Sequence, residues 1–94
     1  MFKNFNDIPK IFESKTRIQI LSSLYVSNLT YSSLKELCNC SDGKLAGHIK
    51  ILIHGQYITQ TKEFINNNPR TTYEITDYGK NQLENYINFL KKII

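Results

Sequence analysis

The chain has 94 residues, 40% hydrophobic and 21% charged, a balance that makes one globular domain and excludes a disordered chain. Twelve Lys and Arg against eight Asp and Glu leave a formal charge of +4, which permits an anionic partner without demanding one. The longest aliphatic run, Ile51-Leu52-Ile53, is far short of the ~20 apolar residues of a membrane span, and two cysteines one residue apart exclude a disulfide framework.

Phe2, Phe5, Ile8, Ile11 and Phe12 recur at spacings of three and four, so the spacing predicts a helical segment over residues 1–13, with Pro9 limiting where a helix can begin. Ser14 can cap a helix running to about Val26, because its hydroxyl can accept from an orphan amide in the first turn. Ile20, Leu21, Leu24 and Tyr25 form its buried stripe, with Ile18 on the margin. Leu29-Thr30-Tyr31 reads as a short strand-like bridge. Ser32 or Thr30 then caps a two-turn helix with Leu34, Leu37 and Cys38 on one face, ending at Asn39-Cys40. From Ser41 the spacing of Leu45, Ile49 and Leu52 is that of an amphipathic helix, closed by Gly55 and Gln56.

The period then changes from 3.6 to 2. Tyr57 to Phe64 alternates and is rich in β-formers, Asn66-Asn67-Asn68-Pro69 has turn chemistry, and Thr71 to Ile75 returns as the partner strand. Thr76 caps a last helix with Leu83, Tyr86, Ile87, Leu90, Ile93 and Ile94 as its apolar positions.

Two short helices joined by a tight turn and followed at once by a hairpin predict an α+β winged helix-turn-helix: a three-helix core, a two-stranded wing with a short extra strand, and a long C-terminal helix. One domain is expected over 1–94, with an N-terminal helical segment at 1–13, the helix-turn-helix and wing at 14–75, and a dimerisation helix at 76–94. Ser41-Asp42-Gly43-Lys44-Leu45, His48, Leu52 and Tyr57-Ile58 resemble the recognition-helix signature of small winged-helix transcriptional regulators related to the multiple-antibiotic-resistance and arsenical-resistance repressor families. Phe64-Ile65, Pro69-Arg70-Thr71-Thr72-Tyr73 and Thr76-Asp77-Tyr78-Gly79 resemble the wing of those proteins and the start of their last helix. The resemblance covers roughly Arg17 to Tyr86 and implies a dimer that binds duplex DNA. Two departures stand out: the wing tip carries asparagines where the family carries basic residues, and Gln56 precedes Tyr57 where the family has glycine.

The expected DNA-binding residues are Ser41, Asp42, Gly43, Lys44, Gly47, His48, Lys50 and Ile51 on the recognition helix, and Lys62, Asn66, Asn67, Asn68 and Arg70 on the wing. With Leu45, Ile49 and Leu52 inward, Lys44, Gly47 and Ile51 point outward: Lys44 can reach a guanine edge or a phosphate, Gly47 allows close approach, and Ile51 can meet a thymine methyl. Lys62 and Arg70 are expected at the base of the hairpin. Tyr57 and Tyr73 read as core rather than as stacking platforms. Phe2, Phe5 and Ile8, with Leu83, Tyr86, Ile87, Leu90, Ile93 and Ile94, are expected to form a two-fold homodimer interface, placing two recognition helices about 34 Å apart on a palindromic or pseudo-palindromic site. The leading expectation is a sequence-specific duplex-DNA regulator. The competing ones are a protein- or RNA-interaction module on the same surface, and a metal- or redox-responsive repressor using Cys38 and Cys40. No cofactor, metal site or membrane association is expected. Neither a nucleophilic triad nor a P-loop can be traced, so catalysis has no support. The opening Met1-Phe2-Lys3-Asn4 has no apolar leader stretch, and with reduced cysteines this makes a cytoplasmic, nucleoid-associated protein the expectation.

Overall fold

Each α-helix begins on a hydroxyl that accepts from an amide in its own first turn, and this punctuation sets the order of elements. In the computed structural model, which describes residues 1–94, Ser14 accepts from Arg17 N at the head of α1 (Lys15–Val26) and Thr30 from Ser33 N at the head of α2 (Tyr31–Cys38). Ser41 accepts from Lys44 N for α3 (Asp42–His54), and Thr76 from Gly79 N for α4 (Asp77–Ile93). Such a cap is worth about 1 kcal/mol, enough to decide where a short helix starts. Between the helices lie the strands β1 (Leu29–Thr30), β2 (Ile58–Ile65) and β3 (Asn68–Ile75), antiparallel in the order β1-β3-β2. This is the expected winged helix.

The core gathers one face from every layer. Ile20, Leu21 and Leu24 of α1, Leu34 of α2, and Leu45, Ile49 and Leu52 of α3 pack with Ile58, Tyr73 and Ile75 of the sheet and Leu83 of α4. Truncating one of these leucines would cost roughly 2–5 kcal/mol, a large share of what holds so small a domain. Leu37, expected on the buried face of α2, is instead 45% exposed, because the inner side of this short helix is taken by Leu34, flanked by the half-buried Tyr31 and Cys38, and Leu37 lies on the other flank. Tyr25 is likewise exposed, and its hydroxyl donates to Glu84 at the surface.

The first thirteen residues are not an α-helix. Phe5–Asp7 and Lys10–Glu13 form two 3-10 turns separated by Ile8 and Pro9, since proline has no amide to continue a helix across that point. The segment lies along α4: Phe12 stacks on Tyr86 with centroids 4.6 Å apart, and Phe5 meets Phe89 edge-on at 5.1 Å. Arg17 ties it down by donating to the carbonyls of Ile11 and Lys10.

Two turns differ from their sequence reading in instructive ways. α3 ends in a Schellman motif in which Tyr57 N donates to Leu52 O and Gln56 N to Ile53 O. The left-handed residue is Gln56 (φ 66°), whereas Gly55 keeps a negative φ. The hairpin turn is two residues long, not four: Asn66 (φ 52°) and Asn67 (φ 66°) both take left-handed conformations, and Asn68 and Pro69 belong to β3. This is the pattern of a type I′ turn, whose twist matches that of the strands it joins and whose positive φ asparagine tolerates.

Gly79 is where the wing and last helix meet. A Cβ there would collide with the Tyr57 carbonyl and lie 2.9 Å from the Ile75 side chain. Thr76 N donates to the same Tyr57 carbonyl at 2.9 Å, so α4 can start only pressed against the entry to β2.

Candidate nucleic-acid interface

Burying Leu45, Ile49 and Leu52 turns the opposite side of α3 to solvent. Gly43, Lys44, Gly47, Lys50 and Ile51 are exposed there, together with His54, which lies on the same side two turns beyond Gly47. The two glycines have no internal reason to be glycine: neither has a positive φ, and a Cβ added at either would meet nothing within 4 Å. Glycine within a helix forfeits about 0.5–1 kcal/mol relative to alanine. The outcome is a stretch of bare helix backbone flanked by Lys44 and Lys50, shaped for close approach.

The remaining expected contacts of this helix have internal partners. Ser41 is the cap. Asp42 forms an ion pair with Lys35 at 3.0 Å and accepts from the Tyr31 hydroxyl at 3.0 Å; the Lys35 contact first, then Tyr31, holds its carboxyl below the usual range. A carboxylate in the first turn of α3 also interacts favourably with the positive end of the helix dipole. His48 is half-buried against α1, where Arg17 donates to its Nδ1 at 3.3 Å. Because a guanidinium can only donate, His48 is neutral with its proton on Nε2. Burial, followed by the charges of Arg17 and Lys44, depresses its pKa below 6.5.

The sheet continues this surface. Directly opposed residues of an antiparallel pair point to one side, so the register sorts the wing into two faces. Ile58 with Ile75, Gln60 with Tyr73, Lys62 with Thr71 and Phe64 with Pro69 share the face turned toward α3. Thr61 with Thr72, Glu63 with Arg70 and Ile65 with Asn68 share the other. Lys62 and Arg70 therefore do not act together. They project from opposite faces, and both sit in the distal half of the hairpin rather than at its base. Gln60 and Tyr73 border a groove of about 640 Å³ whose far wall is Ala46, Lys50, Ile53 and His54 of α3, so one continuous surface runs from the helix onto the α3-facing side of the wing. Tyr57 and Tyr73 themselves are buried, as core residues.

Two exposed residues of this surface escaped the sequence reading. His54 shares the side of Gly47 at seven-residue spacing, a helical repeat that was legible. Phe64, 79% exposed near the wing tip, continues the alternation Ile58-Gln60-Lys62 beyond the end of the body, where no core remains to receive it.

The residues expected at a dimer interface divide. Leu83 is only 3% exposed, within the core, and so is not free to meet a second copy, while Tyr86 is half-covered, with one ring face stacked on Phe12. Phe89, absent from the expected stripe, is buried beside Phe5. Phe2, Ile8 and Leu90 are half-covered, Phe5 is exposed with one ring edge on Phe89, and Ile87, Ile93 and Ile94 face solvent. Ile87 and Lys91 line a shallow groove with Ser22 and Tyr25 of α1.

Cys38 and Cys40 are both reduced and half-buried; burial, and then neighbouring Cys40, pushes the Cys38 thiol up, away from the thiolate that metal or oxidant chemistry requires. No group of three or more His, Cys, Asp or Glu side chains is placed to hold one ion. No helix is long and apolar enough to cross a membrane.

A helix-turn-helix with a stripped helix face beside a twisted two-stranded wing defines the winged-helix class of transcriptional regulators. The chain belongs to the winged helix DNA-binding domain family, whose sequence model matches residues 16–94. It is 35% identical over 79 residues to an uncharacterized protein of Methanocaldococcus jannaschii, covering 83% of this chain and 86% of that one. Among solved structures it is similar to a transcriptional regulator homologue from Pyrococcus horikoshii (TM-score 0.79, 26% identity, 88% of this chain and 83% of that one). The fold is also that of a MarR-family regulator from Porphyromonas gingivalis (TM-score 0.75, 21% identity, 97% and 94% covered) and of an ArsR-family regulator (TM-score 0.68, 19% identity, 99% and 95% covered). These neighbours match the two repressor families that the sequence resembles.

Proposed function

We propose that the protein is a non-enzymatic, sequence-specific duplex-DNA-binding transcriptional regulator, with α3 in the major groove and the wing on the flanking backbone or minor groove. The single observation that carries this reading is the pair Gly43 and Gly47: two glycines on an exposed helix face, each weakening the helix, neither required by any neighbour. A rigid partner brought against the backbone explains them, and Lys44 and Lys50 beside them supply phosphate or base-edge contacts. The protein acts as a homodimer through α4 and the outer side of α1, where Ile87, Ile94, Tyr25 and Val26 are exposed. Two copies of α3 then meet half-sites about one DNA turn apart on a pseudo-palindrome.

The test is selection of bound duplexes from a random pool, followed by titration of the enriched sequence at increasing salt. If six to ten phosphates are neutralised per dimer, affinity falls roughly 10³–10⁵-fold from 50 to 200 mM salt. No enrichment, or an affinity flat in salt, refutes the reading.

A further inference from the structure

We infer that the wing acts as an uncharged wedge, with Phe64 as the side chain that enters the minor groove of the bound duplex and opens a base step there. The inference rests on the duplex-DNA reading above and assigns the wing its mode of contact.

Four observations carry it. Phe64 is the most exposed aromatic side chain of the protein, 79% accessible, and its cross-strand partner is Pro69, so the end of the α3-facing surface is an apolar blade. The wing carries no net charge to attract phosphate: over residues 58–75, Lys62 and Arg70 are matched by Glu63 and Glu74, and Glu63 is the direct cross-strand partner of Arg70. The tight Asn66-Asn67 turn keeps the hairpin a narrow two-stranded ribbon to its tip. Finally, Phe64 lies on the face that borders α3, four residues beyond Gln60 at the groove wall, a reach of about 13 Å along the strand. Added to the offset of Gln60 from α3, that reach is enough to span about 17 Å, half of a 34 Å turn, between a major groove holding α3 and the next minor groove. Apolar side chains at such a tip contact the minor groove by wedging between base pairs and partly unstacking them, an interaction that needs no charge.

The experiment uses the enriched duplex with 2-aminopurine substituted at successive flanking positions, titrated with the wild-type chain, Phe64→Ala and Phe64→Leu. Wild type is expected to raise the fluorescence at one flanking step on each side. Phe64→Ala is expected to abolish that rise and weaken binding roughly 5- to 150-fold, the range one lost aromatic–base contact spans, with an unchanged salt slope because no charge is removed. Phe64→Leu, still a wedge, restores most of both, and the melting temperature stays constant because the ring is solvated. Wild-type binding with no fluorescence rise, or full affinity in Phe64→Ala, overturns the wedge and leaves the DNA reading standing. Loss of self-association in Phe64→Ala without a change in 2-aminopurine signal also overturns it, by assigning the ring to a protein contact. A wild-type chain that binds no duplex overturns both.

Discussion

Replacing Gly43 and Gly47 by alanine should move stability and binding in opposite directions. Neither position has a left-handed backbone, and neither added methyl would touch an atom within 4 Å, so the folded state accepts both without strain. Gly47, in the middle of α3, should gain about 0.5–1 kcal/mol, and Gly43, in the first turn after the Ser41 cap, somewhat less. The pair should gain about 1–1.5 kcal/mol, or about 4–12 °C in melting temperature for a domain of this size. The same two methyl groups stand on the surface proposed to face the base pairs and would hold the helix away from them. Losing one good base contact is worth about 1–3 kcal/mol, so affinity for the selected duplex should fall roughly 5- to 150-fold. Thermal melting followed by circular dichroism, and fluorescence anisotropy with a labelled duplex, measure the two quantities on one preparation. A double variant that is more stable and binds as well as wild type would refute the reasoning, because the bare face would then serve no close approach.

Other substitutions test the local physics. Gly79→Ala should cost at least 1–3 kcal/mol, roughly the penalty of overpacking, because its methyl would press on the Tyr57 carbonyl; a drop of several degrees in melting temperature checks it. Gln56→Gly should add about 1 kcal/mol by relieving the left-handed conformation at the end of α3, seen as a rise of about 4–8 °C. Lys44→Ala should leave the melting transition within about 0.5 kcal/mol of wild type while weakening duplex binding and, if it touches phosphate, reducing the salt slope by about one. Because His48 titrates below its usual range, it stays neutral in both states above about pH 6.5. As the pH falls further the unfolded chain takes up a proton that the folded chain resists, so stability declines toward the folded-state pKa. Denaturant titrations between pH 7 and 5 should show that decline, and His48→Gln should flatten it.

Local chemistry was the part of the fold open to reading from residues. Ser14, Thr30, Ser41 and Thr76 mark helix starts because a hydroxyl beside an orphan amide needs no tertiary context, and the four caps set the frame on which α3 presents its outer side. Leu45, Ile49 and Leu52 then settle which side that is, so Lys44 and the glycines are legible as exposed. Long-range choices were not. Whether Lys62 and Arg70 share a face depends on the parity of the β2–β3 pairing: a turn of two residues, or of four, sets them on opposite faces, whereas one of three would bring them together. Leu83 and Ile87 look alike on a helical wheel; only the docking of α4 on the core, with Phe12 laid over Tyr86, decides that the first is covered and the second free. The left-handed Gln56 escaped because the hydrogen bonds of the Schellman motif hold a residue in a conformation that its own propensity disfavours.

The most direct test of the account is a map of backbone amide shifts in the folded protein on addition of the selected duplex. The proposed geometry predicts that the changes concentrate on Gly43, Lys44, Gly47, Lys50 and Ile51, with a second cluster around Phe64 at the wing tip. Changes confined to Tyr25, Ile87 and Lys91 on the α1–α4 side, with α3 silent, would contradict it.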